Sequence, residues 1–137
     1  INSETDFAGH IGGDDFVAII KDENWKDVLS SLFTEFNHKV VGFYTKEDQE
    51  LGGIQSTDRF GDDRFFDFVT LSAGAMTITD EYYDSFQPLL TNIITLKQRT
   101  KRHNKLRIAH QHKNKIDLHS FVEGKFQKVI TETIEAE

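Results

Sequence analysis

"GHIGGDDFVAII", residues 9–20, is the stretch whose reading decides the fold. Asp6 to Ile11 and Phe16 to Lys21 have the composition of two short strands, and Gly12-Gly13 between them supplies the turn, so residues 6–21 are expected to form a β-hairpin. A plain hairpin needs less punctuation than two glycines followed by Asp14 and Asp15. The stretch reads either as a tight turn with solvated acids or as a turn shaped to hold a phosphate and a metal ion.

Working outward, Trp25, Val28, Leu29, Leu32, Phe33 and Phe36 recur at helical spacing and predict an amphipathic helix with Asn24 at its cap and Asp27 in its first turn. Val40–Tyr44 reads as a candidate strand, "TKEDQELGG" as a polar connection, Ile54–Thr57 as a second strand, and "DRFGDD" as a turn. "RFFDFVTLSAGAMTI" then reads as one long central strand, with Val69, Leu71, Ala73 and Ala75 on one face. Pro88 is tolerated only in a first helical turn, which places the cap of the next helix at Ser85 and the helix from Phe86 to about His103. Leu106–His110 reads as an edge strand. Leu118, Val122, Phe126, Val129, Ile130 and Ile134 suggest a C-terminal amphipathic helix weakened by Gly124. The order of elements is that of an α+β fold.

Composition sets bounds on function. The 137 residues amount to one domain, and the absence of cysteine excludes disulfides, thiolate metal sites and a cysteine nucleophile. Neither a long apolar run nor a signal-peptide pattern occurs, which gives a cytoplasmic expectation without membrane contact. Net charge is -7, yet Lys97, Arg99, Lys101, Arg102, Lys105, Arg107, Lys113 and Lys115 lie in a stretch free of acidic residues, a pattern that attracts phosphate. No aromatic residue interleaves these cations, so nucleic acid is not the expected partner.

With these elements in order, "GHIGGDDFVAII" resembles the signature hairpin of GGDEF domains, the diguanylate cyclase family, with Asp15 where Glu is more usual. A helix, the strand "VTLSAGAMTI" and a helix ending in basic residues follow in family order, so the resemblance covers roughly residues 6–110. "FYTKEDQELGGIQSTDRFGDDRFFDF" resembles the insertion of the subgroup in which the domain follows an EAL domain and a CBS pair. The implied fold is a ferredoxin-like nucleotide-cyclase palm, an antiparallel sheet packed by helices. Residues 1–113 would be a partial GGDEF domain with its insertion at 39–64, and residues 114–137 a helical extension.

The resemblance also implies roles. Gly12 and Gly13 would let backbone approach a triphosphate. Asp14 and Asp15, adjacent on extended backbone, would point to opposite sides, Asp15 holding Mg²⁺ or Mn²⁺ at the phosphates and Asp14 facing the ribose 3′-hydroxyl as base or second metal contact. The complete domain would join two GTP into cyclic di-GMP between facing subunits. Lys101 and Lys105 match the family's phosphate-facing basic pair, with Arg99 as an alternative register. Asp6 would be the remnant of an inhibitory R-x-x-D site whose arginine position is Ser3, so product inhibition there is not expected.

The family's first strand and two helices, which supply a further metal-binding carboxylate and guanine contacts, would precede the hairpin, where only Ile1–Thr5 stand. The expectation is therefore a chain without cyclase activity by itself, either part of an active cyclase or a degenerate module that binds GTP, cyclic di-GMP or a partner and regulates an attached EAL phosphodiesterase. A missing central strand also leads to an expected homodimer. His110 and His112 alternate on one strand face and are read as surface residues rather than metal ligands; His10 is expected to pack or hydrogen-bond within the hairpin; Trp25 and the phenylalanines are read as core.

Overall fold

The computed structural model describes residues 2–21, 23–79 and 84–134. Strands β1 (Phe7–Gly12) and β2 (Asp15–Ile19) form the expected antiparallel hairpin, with Phe7 opposite Ile19 and Gly12 opposite Asp15. Gly13 at its turn has φ 58°, a left-handed conformation that glycine adopts without strain. Helix α1 (Trp25–Val40) follows, and the Asn24 carbonyl accepts from the N–H groups of Asp27 and Val28 to start it.

The chain then departs from expectation at Val40–Tyr44. Val40 ends α1, and Val41–Phe43 tighten into a 3₁₀ turn rather than a strand. The "polar connection" contains a short helix, α2 (Lys46–Leu51). The Thr45 side chain caps it by accepting from the Asp48 N–H, and Gly52 closes it at φ 75°. Strands β3 (Gly53–Thr57) and β4 (Asp63–Asp67) pair as a second isolated hairpin. Its turn is organised by Asp58, whose carboxylate accepts from the N–H groups of Phe60 and Asp62 and from Arg64 Nε at 2.7 Å.

The long strand is therefore two strands. Residues 68–72 separate β4 from β5 (Ala73–Thr77), and the two pair with different partners. Helix α3 (Phe86–Arg99) begins after Ser85 with Pro88 in its first turn, as expected, and runs into a 3₁₀ turn at Thr100–Arg102. It carries the chain back to β6 (Leu106–His112), which lies parallel to β5. The main sheet is thus mixed rather than wholly antiparallel, because a connection long enough to contain a helix permits parallel pairing.

Beyond β6 the helical expectation fails. Residues 115–133 form two strands, β7 (Lys115–Val122) and β8 (Lys125–Thr133), and the sheet order is β5-β6-β7-β8. The β6 strand is accordingly interior, not an edge. Glu123 (φ 53°) and Gly124 (φ 76°) form the two-residue turn between β7 and β8, with the paired positive φ values that suit the twist of a hairpin. Alternation explains the choice: Ile116 and Leu118 are buried on one face, while Asp117, His119 and Phe121 point to the other.

Two helices cover the two faces. On one, Leu96 of α3 packs with Leu106, Ala109, Ile116 and Leu118, and Met76 joins them. Helix and strand approach closely at Gly74, where an added Cβ would lie 2.4 Å from the Ile93 carbonyl oxygen. On the opposite face, Phe33 of α1 meets Phe121 and Phe126 edge-on, Trp25 lies against His110, and Ser30 Oγ donates to the Gly124 carbonyl at 2.6 Å. Among the phenylalanines, Phe33 is buried, but Phe7, Phe16, Phe43, Phe60, Phe65, Phe66 and Phe86 are exposed, against the core expectation. They lie mainly on the two small hairpins and in loops, outside the helix-covered sheet. The architecture is α+β, and no helix among the described residues is long and apolar enough to cross a membrane.

Candidate functional site: the hairpin turn and the basic end of helix α3

The turn of the first hairpin is exposed and open. Nothing stands within 4 Å of where a Cβ would be built at Gly12 or Gly13, so the backbone there is accessible to a ligand from outside. His10 holds the turn from within, its Nε2 lying 2.8 Å from the Gly13 carbonyl oxygen while its ring stacks on Phe16 at 4.6 Å. The expected hairpin role of His10 is met.

Asp15 reaches from the start of β2 to α3, where its Oδ1 accepts from Lys97 Nζ at 2.5 Å. The hydrogen bond from Lys97, then its charge and that of Lys101, hold the Asp15 carboxyl below the usual carboxylate range. Two parts of the chain 82 residues apart thus form one surface, with Asp15 and Lys97 in contact and Lys101 adding its charge one helical turn on. Lys97 belongs to the basic stretch but was not singled out beside Lys101. The available signal was its place four residues earlier, on the same helical face.

Other expected residues are placed differently. Lys105 is not among the charges acting on Asp15; it sits past the 3₁₀ turn, and its N–H donates to His103 Nδ1. Arg99 and Arg102 both bind Glu132 of β8, so this part of the basic segment is partly neutralised by the strand that replaced the expected helix. Asp14 lies exposed on the turn. The carboxylate of Asp6 accepts from the N–H groups of Lys21 and Asn2 and from the Thr5 hydroxyl. The Lys21 hydrogen bond leads in holding its pKa down. Asp6 thus ties the end of the hairpin to the residues before it.

Asp14 and Asp15 are the carboxylates that the resemblance sets against Mg²⁺ or Mn²⁺. Such ions take about six oxygen ligands, usually including carboxylates free to bind them. Here one oxygen of Asp15 is engaged by Lys97, and no group of three or more His, Asp or Glu side chains among the described residues is arranged to hold a metal ion. The described residues thus supply no preformed metal cage.

A second polar cluster lies between the sheet and α1, where the sequence reading expected a surface histidine. His110 and His119 are buried, 7% and 5% exposed, whereas His112 is exposed and stacks against His110 at 6.2 Å. Thr77 Oγ1 lies 2.7 Å from His110 Nε2, and the Nδ1 atoms of both buried rings have no hydrogen-bond partner among the described residues. Burial first, then the positive charge of Lys26, pushes the His110 pKa down to about 4 and lowers that of His119 in the same way. The alternation of "HQH" was visible in the sequence; which histidine would be covered was not, because the cover comes from Trp25. No family model, curated protein or solved structure matches this chain.

Proposed function

We propose that the chain is part of a GGDEF-type signalling domain of cyclic di-GMP metabolism, and that its hairpin turn and the basic end of α3 together face the phosphates of GTP or cyclic di-GMP. The observation that carries this reading is the contact between Asp15 and Lys97, which joins the "GGDD" turn to the cationic helix end at one surface. Open glycine backbone at residues 12 and 13 offers close approach, Lys101 offers charge to neutralise phosphate, and Lys97, its charge paired with Asp15, keeps further N–H donors for a phosphate oxygen.

Within this reading a regulatory role is favoured over catalysis. Joining two GTP requires a divalent cation at the reacting phosphates, whereas one Asp15 oxygen is held by Lys97 and no third His, Asp or Glu joins Asp14 and Asp15 in a metal-holding group among the described residues. The proposed module binds nucleotide and controls an attached EAL phosphodiesterase; a cyclase would need Mg²⁺ or Mn²⁺ held by further carboxylates. A homodimer and a cytoplasmic location belong to the same proposal.

Calorimetric titration with GTP and with cyclic di-GMP, in the presence and absence of Mn²⁺, tests it. The expected result is weak binding that falls at least tenfold in Lys97→Ala and Lys101→Ala, with no cyclic di-GMP formed from GTP. Binding of neither nucleotide, or equal binding in both variants, would overturn the phosphate-facing reading, and product formation by the purified chain would overturn the regulatory one.

A further inference from the structure

The two buried histidines lie where α1 is seated on the sheet. Trp25, the first residue of α1, meets the His110 ring at 4.7 Å, and His119 stands on the neighbouring strand, with Ile108 as its cross-strand partner. A neutral imidazole has one N–H and one acceptor nitrogen. His110 shares Nε2 with the Thr77 hydroxyl, which leaves its Nδ1 without a partner among the described residues in either tautomer. On protonation both nitrogens become donors, and Nδ1 is then a buried donor carrying charge with nothing to accept it.

The surroundings do not welcome that charge. Lys26 of α1, Lys128 of β8 and the neighbouring imidazoles act on the pair as cations or potential cations. Asp117 of β7 is the opposing anion, but its Oδ1 already accepts from the Thr131 hydroxyl at 2.7 Å. Its charge, and for His119 an interaction with the Asp117 backbone as well, offset part of the cost, yet neither Nδ1 gains a well-formed hydrogen bond among the described residues.

We propose that His110 and His119 form an acid-sensitive latch: protonation of either ring loosens the packing of the first turns of α1 on the sheet, while the α3 face of the sheet stays closed. The proposal stands apart from the nucleotide reading, since the latch lies on the α1 side of the sheet and the candidate site involves the hairpin turn and α3. The linkage has a definite sign. A histidine released to water titrates near its ordinary value of 6.5, whereas His110 in the closed state titrates at about 4. Between these values the open state binds more protons, so the closed state is fully favoured above pH 6.5 and loses ground as pH falls toward 4. Each ring that stays neutral in the closed state raises the opening constant about tenfold per pH unit across its window. The paired carboxylates Asp6, Asp15, Asp58 and Asp117 titrate below their ordinary 3.8 and so act at more acid pH.

Trp25 is the only tryptophan and sits on the latch. Its fluorescence, followed through denaturant titrations at several values between pH 7.5 and 5, is expected to report an opening constant that rises at least tenfold per unit below pH 6.5. Amide exchange should accelerate in residues 29–33 of α1 before it does in β6. The variants His110→Gln and His119→Gln should each flatten the pH slope. NMR titration of the unmodified chain keeps the test intact if a variant does not fold: His110 should remain neutral in the folded state down to about pH 5. A His110 ring titrating near 6.5 in the folded chain, or a pH-independent opening constant, would overturn the latch.

Discussion

Gly74 stands where β5 and α3 come closest, and a methyl group there would meet the Ile93 carbonyl oxygen at 2.4 Å and the Lys97 backbone nitrogen at 2.6 Å. Both contacts are backbone, which cannot rotate away. Gly74→Ala must push the helix off the sheet, and overpacking of this kind costs roughly 1–3 kcal/mol. Urea titration monitored by circular dichroism should show that loss; an unchanged midpoint would mean that strand and helix are farther apart. The same shift would move Lys97, whose backbone lies against Gly74, and with it the contact to Asp15. The packing residue and the candidate site are thereby coupled. At this scale the sequence was informative about His10, whose contacts lie within its own hairpin. It placed Lys97 in a basic stretch without pairing it with Asp15, and it read His110 as a surface residue, because the Asp15 contact and the Trp25 cover come from elements far along the chain.

At the scale of elements, the segment after β6 shows why one pattern was misread. Apolar residues at 118, 122, 126, 129, 130 and 134 satisfy a helical spacing, yet the same segment also alternates, and the alternate apolar residues Ile116 and Leu118 are buried together on the α3 face. The turn residues Glu123 and Gly124 decide between the two periods, since both take positive φ. Gly124→Ala distinguishes the outcomes by sign. In a helix the substitution would stabilise by up to about 1 kcal/mol, because alanine is the better helix former. In the observed turn, at φ 76°, alanine is strained and should cost about 1–2 kcal/mol. A stability measurement that came out positive would return the segment to a helix. The first hairpin and helices α1 and α3 were legible because each carries its own signal: a glycine turn, a single apolar stripe, or a proline that fixes the start. The break between β4 and β5 was not, since a continuous run of strand formers does not say where its pairing partner changes.

For the whole molecule, stability should be concentrated in one part. The four-stranded sheet is covered by α3 on one face and α1 on the other, and Ile108, Ala109 and Leu118 on its two interior strands are almost wholly inaccessible. The β1–β2 hairpin pairs with no other strand among the described residues, and Phe7, Ile11, Phe16 and Ile19 on it are about half exposed or more. A two-stranded ribbon without a covered face is marginal in water. What ties this hairpin to the rest includes the contact of Asp15 with Lys97, and an exposed ion pair contributes little to stability. Amide exchange at neutral pH should therefore separate the chain into two classes. The interior amides of β6 and β7 should exchange only through near-global opening, and those of β1 and β2 through local opening orders of magnitude faster. If GTP or cyclic di-GMP binds at the turn, added nucleotide should slow exchange in β1 and β2 selectively, because a ligand stabilises the element it needs ordered. Equal protection of the hairpin and the main sheet without ligand would show that the hairpin is held by contacts beyond those described, and slowing confined to β6–β8 would place the bound nucleotide elsewhere.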